Sequence, residues 1–135
     1  MRMLQRIVVY AWAAPVTSIG LLLAVCARLG GAQWRCDAGV LEVAGGRAAP
    51  LLLTPTRRYR YAALTLGHVI LARDVRSLDR CRCHEYVHVR QYERWGVLLL
   101  PLYAGSSLLV WLRGGRPYRD NHFERQARAE AGEEN

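Results

Sequence analysis

The chain has 135 residues and a formal charge of +8, and all 19 of its basic side chains are arginine. That length is one domain's worth, and 91 residues lie between and after two apolar blocks, Ile7–Ala27 and Gly96–Leu112; such a small core calls for support from a metal, a membrane surface or a partner. The all-arginine usage fits a GC-rich coding bias as well as attraction to an acidic surface, and no nucleic-acid-binding motif accompanies the charge, so nucleic acid is not expected as a partner.

Ile7–Ala27 contains no charged residue. At 1.5 Å per residue it reaches about 31 Å, enough to cross the hydrocarbon of a bilayer, and Pro15 within it is tolerated in membrane helices. Residues 1–30 therefore read as a membrane anchor. A cleaved signal peptide is the rival reading, since Val25-Cys26-Ala27 fits a small-residue cleavage site, but the run is long for the apolar part of a signal. Arg28, Arg35 and Arg47 outnumber Arg2 and Arg6 across this segment, and the positive-inside rule then places the domain on the cytoplasmic side.

Arg28–Gln33 is a glycine-containing exit. Gly39–Ala44 alternates apolar and polar residues and predicts a short strand, closed by the turn residues Gly45-Gly46. Pro50 and Pro55 argue against a long helix over Ala48–Tyr61. The densest basic patch lies there, Arg57, Arg58 and Arg60 with Tyr59 and Tyr61, and anionic headgroups are the nearest acidic partner beside a membrane anchor. Ala62–Ala72 is β-leaning and predicts one strand. Asp74 or Ser77 caps a helix that extends to about Trp95 and is ended by Gly96. Val97–Leu112 is predicted to be a helical segment broken by Pro101 and by Gly105-Ser106-Ser107. Asn121 opens a last helix to about Ala131, and residues 132–135 form a polar tail. Of the four cysteines, Cys26 reads as a small apolar residue. Cys36 with Cys81 or Cys83 allows one disulfide in an oxidising compartment and free thiols in a reducing one, so cysteine usage leaves the compartment open.

The chemistry concentrates in His84-Glu85-Tyr86-Val87-His88, an H-E-x-x-H pattern. Residues four apart on a helix lie one above the other, so His84 and His88 can direct two imidazoles at one ion. Glu85, turned about 100° around the axis, can act on a water there without ligating. His84, His88, Gln91 and Trp95 fall on one stripe, with Tyr92 at its edge, which another element is expected to cover. Catalytic zinc takes three protein ligands and leaves one position open. Glu124 is the best third ligand. Two plainer roles compete for it: the reciprocal cap of Asn121-x-x-Glu124 and an i,i+4 pair with Arg128. His122 is the alternative ligand.

These residues resemble a minimal gluzincin, in which an H-E-x-x-H helix is followed by a second helix carrying Glu-x-x-Ala, here Glu124-Arg125-Gln126-Ala127. The stretches His84–Gln91 and Tyr118–Glu124 also resemble small bacterial membrane proteins with a zincin signature. The likeness covers about Leu64–Ala131. It implies zinc bound by His84, His88 and Glu124, water activated by Glu85, and an edge strand at Leu64–Ala72 that pairs with an extended peptide. It also implies an oxyanion donor, for which Tyr118, His122 and His68 are the candidates.

The proposed ligands flank the second apolar run, so a single crossing by Val97–Leu112 would separate them. At about 24 Å the run is too short to cross, and it is expected to double back. Arg80, Arg82, Arg90 and Arg94 keep the H-E-x-x-H helix out of lipid. The sequence thus predicts an α+β protein, with an N-terminal transmembrane helix followed by a small zincin-like domain over residues 31–131 whose apolar segment 97–112 rests on the membrane. The function it predicts is a membrane-anchored zinc metallohydrolase, a peptidase, with membrane lipid and a peptide or protein substrate as partners. The alternatives are a non-catalytic zinc-stabilised membrane protein and an arginine-rich lipid-surface or adaptor module.

Overall fold

The first helix, α1 (Met3–Leu29), is apolar on every side, yet its small residues are sorted. Ala13, Val16, Gly20, Ala24 and Ala27 recur at three- and four-residue spacing and form the buried stripe, while Leu4, Ile7, Val8, Leu21, Leu22 and Val25 face outward. The computed structural model describes residues 3–49 and 62–133. The Arg57–Tyr61 patch and the prolines Pro50 and Pro55 lie outside the described residues.

Four strands form one sheet in the order β1-β2-β4-β3: β1 (Gln33–Asp37), β2 (Val40–Ala44), β3 (Ala63–Leu66) and β4 (Val69–Ala72). β1 is not among the expected strands: its five residues alternate polar and apolar, but the run is short and all five are exposed, so no buried face marks it. It exists because Ala38 and Gly39 both take positive φ, 47° and 84°, which closes a two-residue hairpin onto β2. The single strand expected over Ala62–Ala72 is instead two strands, β3 and β4, paired antiparallel around Gly67-His68. Gly67 has φ +61°, and a Cβ there would strike Thr17 of α1. The apolar run conceals this turn because its two arms are equally apolar.

β4 is buried on both faces. Val69 and Leu71 pack with Val43 on Ala24 and Ala27 of α1. Ile70 and Ala72 pack with Val40 and Ala44 on Leu78 and Val89 of α2 (Val75–Trp95). The sheet is thus sandwiched between α1 and α2. On the α2 side, the fully buried Glu42 receives two hydrogen bonds from the Arg82 guanidinium, at 2.9 and 3.2 Å, so the buried charge is paired.

α2 keeps the expected limits. Asp74 caps it by accepting from the Ser77 amide at 2.7 Å, and Gly96 ends it at φ 56°. A 3₁₀ turn over Gly96–Leu98 leads into α3 (Leu99–Leu112), which runs unbroken. The expected break at Pro101 does not occur, because Pro101 lies in the first turn, where its missing N–H has no intrahelical partner to lose. The expected break at Gly105-Ser106-Ser107 does not occur either, because the serines bond outward. Ser106 accepts from the His122 amide, and Ser107 donates to the Pro117 carbonyl. The chain then returns along α3 and enters α4 (His122–Ala131). Ala13, Val16, Tyr92, Leu99 and Phe123 form a third core cluster where α1, α2, α3 and α4 meet.

Two helical stretches, Met3–Leu29 and Val75–Leu112, are long and apolar enough to cross a membrane. All four cysteines are free.

Gly20 tests the seat of α1. A Cβ there would meet the Leu66 carbonyl oxygen at 2.8 Å and Val69 Cβ at 2.9 Å, whereas one at Gly105 meets nothing within 4 Å. Denaturant unfolding is expected to show Gly20→Ala destabilised by about 1–3 kcal/mol and Gly105→Ala unchanged or stabilised by up to about 1 kcal/mol.

Candidate metal centre

His84 and His88 occupy successive turns of α2, both buried, with rings 4.8 Å apart at an interplanar angle of 70°. The stripe they begin continues through the buried Gln91 and Tyr92, while Trp95 is exposed. α4 covers that stripe from one side and α3 from the other.

Glu124 reaches the two imidazoles from α4. Its Oε2 lies 3.1 Å from His84 Nε2, its Oε1 lies 3.4 Å from His88 Nε2, and the two Nε2 atoms are 3.1 Å apart. Among the described residues these three side chains form a group able to hold a metal ion. Neither plainer role for Glu124 is realised. Asn121 caps α4 alone, accepting from the Phe123 amide at 2.9 Å, and Arg128 donates to the Arg119 carbonyl.

The outer nitrogens decide which atoms face inward. Gln91 donates its amide N–H groups to the Phe123 carbonyl at 3.0 Å and to Gln126 at 3.1 Å. Its oxygen therefore faces His88 Nδ1, at 2.8 Å, and accepts a hydrogen bond from it. That fixes the tautomer and turns the Nε2 lone pair of His88 towards the group. His84 Nδ1 lies 3.4 Å from the Glu133 carboxylate, which favours the same tautomer. Glu124 Oε1 also accepts from the Tyr103 hydroxyl at 2.8 Å.

Three acceptor atoms brought this close require positive charge between them, and the titration directions agree. Burial raises the Glu124 carboxyl, but hydrogen bonds from His84, His88 and Tyr103 outweigh it and hold the group well below the usual carboxylate range. Burial opposes charge on His84 and on His88, and their hydrogen bonds with Glu124 outweigh it, so both are raised.

Glu85 points to another side of α2. Its carboxylate is buried beneath β3 and accepts from the Thr65 hydroxyl at 2.6 Å. Thr65 pairs with Ile70 across the hairpin, so it shares the α2-facing side of the sheet. Burial raises the Glu85 carboxyl, and the nearby His88 and the Thr65 hydrogen bond only moderate the rise.

A cleft of roughly 280 Å³ brings Glu85, His88 and Glu124 together with β3 residues Ala63–Leu66 and with Tyr92, Tyr103 and Tyr118. Of the expected oxyanion donors, Tyr118 lines this cleft. His122 does not: its ring lies edge-on to Phe123 and lines a separate cavity. His68 is in the β3–β4 turn, stacked on Tyr10 at 4.0 Å and paired with Glu93 at 3.2 Å. Thr65, Gln91 and Tyr103 carry functions that the sequence left unassigned. Gln91 stood on the histidine stripe, and that was the signal available. Tyr103, the tyrosine of a largely apolar helix, offered another.

Set against family models, curated proteins and solved structures, the chain matches none. The fold and site by themselves define the class: an α+β protein with a sheet between two helices and a buried His-His-Glu group able to hold a metal ion.

Purified protein is expected to bind one divalent metal. His84→Ala and Glu124→Ala abolish binding, and Gln91→Leu weakens it about 10–100-fold by freeing the His88 ring, as read by chelator competition. Because ligation needs neutral imidazoles and both are raised above 6.5, metal uptake displaces protons. Apparent affinity therefore climbs as pH rises through 6.5 and levels off only above the raised values. Calorimetry in buffers of different ionisation heat reads the proton release directly.

Proposed function

We propose that the protein is a zinc-dependent hydrolase of peptide bonds working at a membrane surface. The observation that carries this reading is the meeting of Glu124 with two imidazoles 36 and 40 residues earlier in the chain, beside a cleft that also holds Glu85 and the edge of a sheet. Two imidazoles and one carboxylate are a zinc donor set, and ligand atoms about 2.0–2.1 Å from a tetrahedral ion stand about 3.3 Å from one another. The separations of 3.1–3.4 Å fit that requirement. Zinc held there would bring the pKa of a bound water towards 7 and polarise a carbonyl.

The chain's own groups supply the rest. Glu85 takes the proton from the attacking water and returns it to the leaving amine. A carboxyl raised by burial is suited to both steps, since it is basic enough to accept and acidic enough to donate. The Thr65 hydroxyl fixes the carboxylate through Oε2 and leaves Oε1 for the water. Tyr118, on the same cleft, is the candidate donor to the oxyanion that develops on the scissile carbonyl. β3 is one of the two edge strands of the sheet among the described residues and lines the cleft along its length, so an extended peptide can add to it by backbone hydrogen bonds.

Membrane attachment rests on the exposed apolar faces. The buried stripe of α1 is committed to the sheet and α2 from Ala13 to Ala27. We therefore infer that α1 and α3 meet lipid with their outer faces, which carry Ile7, Val8, Leu21, Leu22 and Leu108, Trp111, Leu112. The meeting of Glu124 with His84 and His88 supports a run between them that turns back rather than crosses.

Glu85→Gln is the deciding variant. It keeps the shape and the metal but cannot carry the proton, so turnover of a quenched-fluorescence peptide library is expected to fall at least about 100-fold at unchanged zinc content. Equal turnover in the variant would remove Glu85 from the reaction. No turnover in either protein, with zinc bound in both, would favour a metal that only supports the small core.

A further inference from the structure

On the far side of α2 from the cleft lies a second, larger cavity of roughly 570 Å³, bounded by α2, α3 and α4. Its walls differ in kind from those of the cleft. Arg90, Arg94 and the His122 ring supply cationic and hydrogen-bonding groups, and Trp95, Leu102 and Phe123 supply apolar surface.

Arg90 is held by Glu130 at 3.0 Å, and Glu130 in turn accepts from Gln126 at 2.7 Å, so one guanidinium is fixed in place with its charge matched. Arg94 has no carboxylate partner among the described residues and lies over the Trp95 ring at 5.6 Å. The cavity therefore carries an excess positive charge on a group presented by an aromatic face.

The apolar lip leads outward. Leu98, Leu102, Leu109 and Leu112 recur at helical spacing along one side of the 3₁₀ turn and α3, and all four are exposed. That stripe meets the cavity at Leu102, which is part of the wall, and extends about 15 Å beyond it along the helix to Leu112. A ligand that suits both parts has a compact anionic head and a long apolar tail.

We propose that this cavity is a binding site for the phosphate headgroup of an anionic membrane lipid. Arg94 takes the phosphate as a charge-assisted, two-pronged donor, and the acyl chains leave over Trp95 and Leu102 along the leucine stripe. An inorganic phosphate would satisfy the arginine but not the stripe. The site shares no residue with the Glu85 cleft and does not depend on the hydrolase reading. It touches the metal group at one point only, Gln91, which lines the cavity and orients His88.

The test uses the full chain and intrinsic tryptophan fluorescence. Soluble dihexanoyl phosphatidylglycerol is expected to give a saturable change that Trp95→Phe removes. Dihexanoyl phosphatidylcholine and inorganic phosphate give none. An equal, competing response to inorganic phosphate would overturn the lipid in favour of a free anion, and an equal response to phosphatidylcholine would overturn the role of charge. Flotation with phosphatidylcholine vesicles containing phosphatidylglycerol is the second measurement. Arg94→Gln is expected to lower vesicle binding at least 10-fold. Arg113→Gln and Arg116→Gln, which remove the same charge beside α3, lower it by no more than about 5-fold, the effect of one arginine near an anionic surface. Equal losses in all three variants would reduce the cavity to unspecific attraction. Arg94 is exposed, so its replacement leaves the fold intact, which far-ultraviolet circular dichroism checks. Repeating the titration with and without zinc keeps failure of this site separate from failure of the metal reading.

Discussion

A buried carboxylate cannot stand alone, and the architecture around Glu124 follows from that constraint. The residue is 3% exposed, and an ionised group at that depth needs cationic or hydrogen-bonding partners on both oxygens. His84 and His88 supply them on the inner side and Tyr103 supplies one on the outer. A metal ion in the same place would serve better than protons, because it satisfies all three donor atoms at once. The group therefore ties α4 back onto α2 and α3, and a cation held there would become part of the fold of a small domain.

The tie depends on a clamp that sets the approach of α4. Asn121, fully buried, donates to the Tyr103 carbonyl at 3.0 Å and to the Ser107 hydroxyl at 2.7 Å while accepting from the Phe123 amide. Every polar atom of its side chain is used, so it holds the start of α4 against the middle of α3 in one orientation. Ser106 and Ser107 complete the clamp from the α3 side. Three residues later Glu124 lies one turn along α4, within reach of the histidines. The polar residues of the apolar helix thus work as a latch for the returning chain.

α2 then separates two environments. On one side, Glu85 and Thr65 join the metal group to an apolar cleft beside β3. On the other, Gln91 joins it to a cavity lined by arginines. The outer surfaces of α1 and α3 are apolar. In the proposed reading the domain rests on lipid through them, and a chain with so few residues to bury would gain support from that surface as it would from a bound metal.

Much of this was legible before the fold was known, for a local reason. H-E-x-x-H sets two imidazoles on one helix face by backbone geometry alone, and the caps Asp74, Gly96 and Asn121 mark helix ends through side-chain or positive-φ preferences that act within a few residues. The sequence also required Val97–Leu112 to double back if Glu124 was to join the histidines. What it could not decide depends on contacts between distant segments. β1 buries no residue on either face and exists through its hairpin with β2. The Gly67 turn is fixed by the closeness of Thr17. The choice of Glu124 over His122, the service of Gln91 and Tyr103 to the ligands, and the removal of His68 to a pair with Glu93 all depend on which faces of α3 and α4 meet α2. Helical periodicity says which residues share a face; only packing says which faces meet, because that is settled by the summed burial and hydrogen bonding of the whole domain.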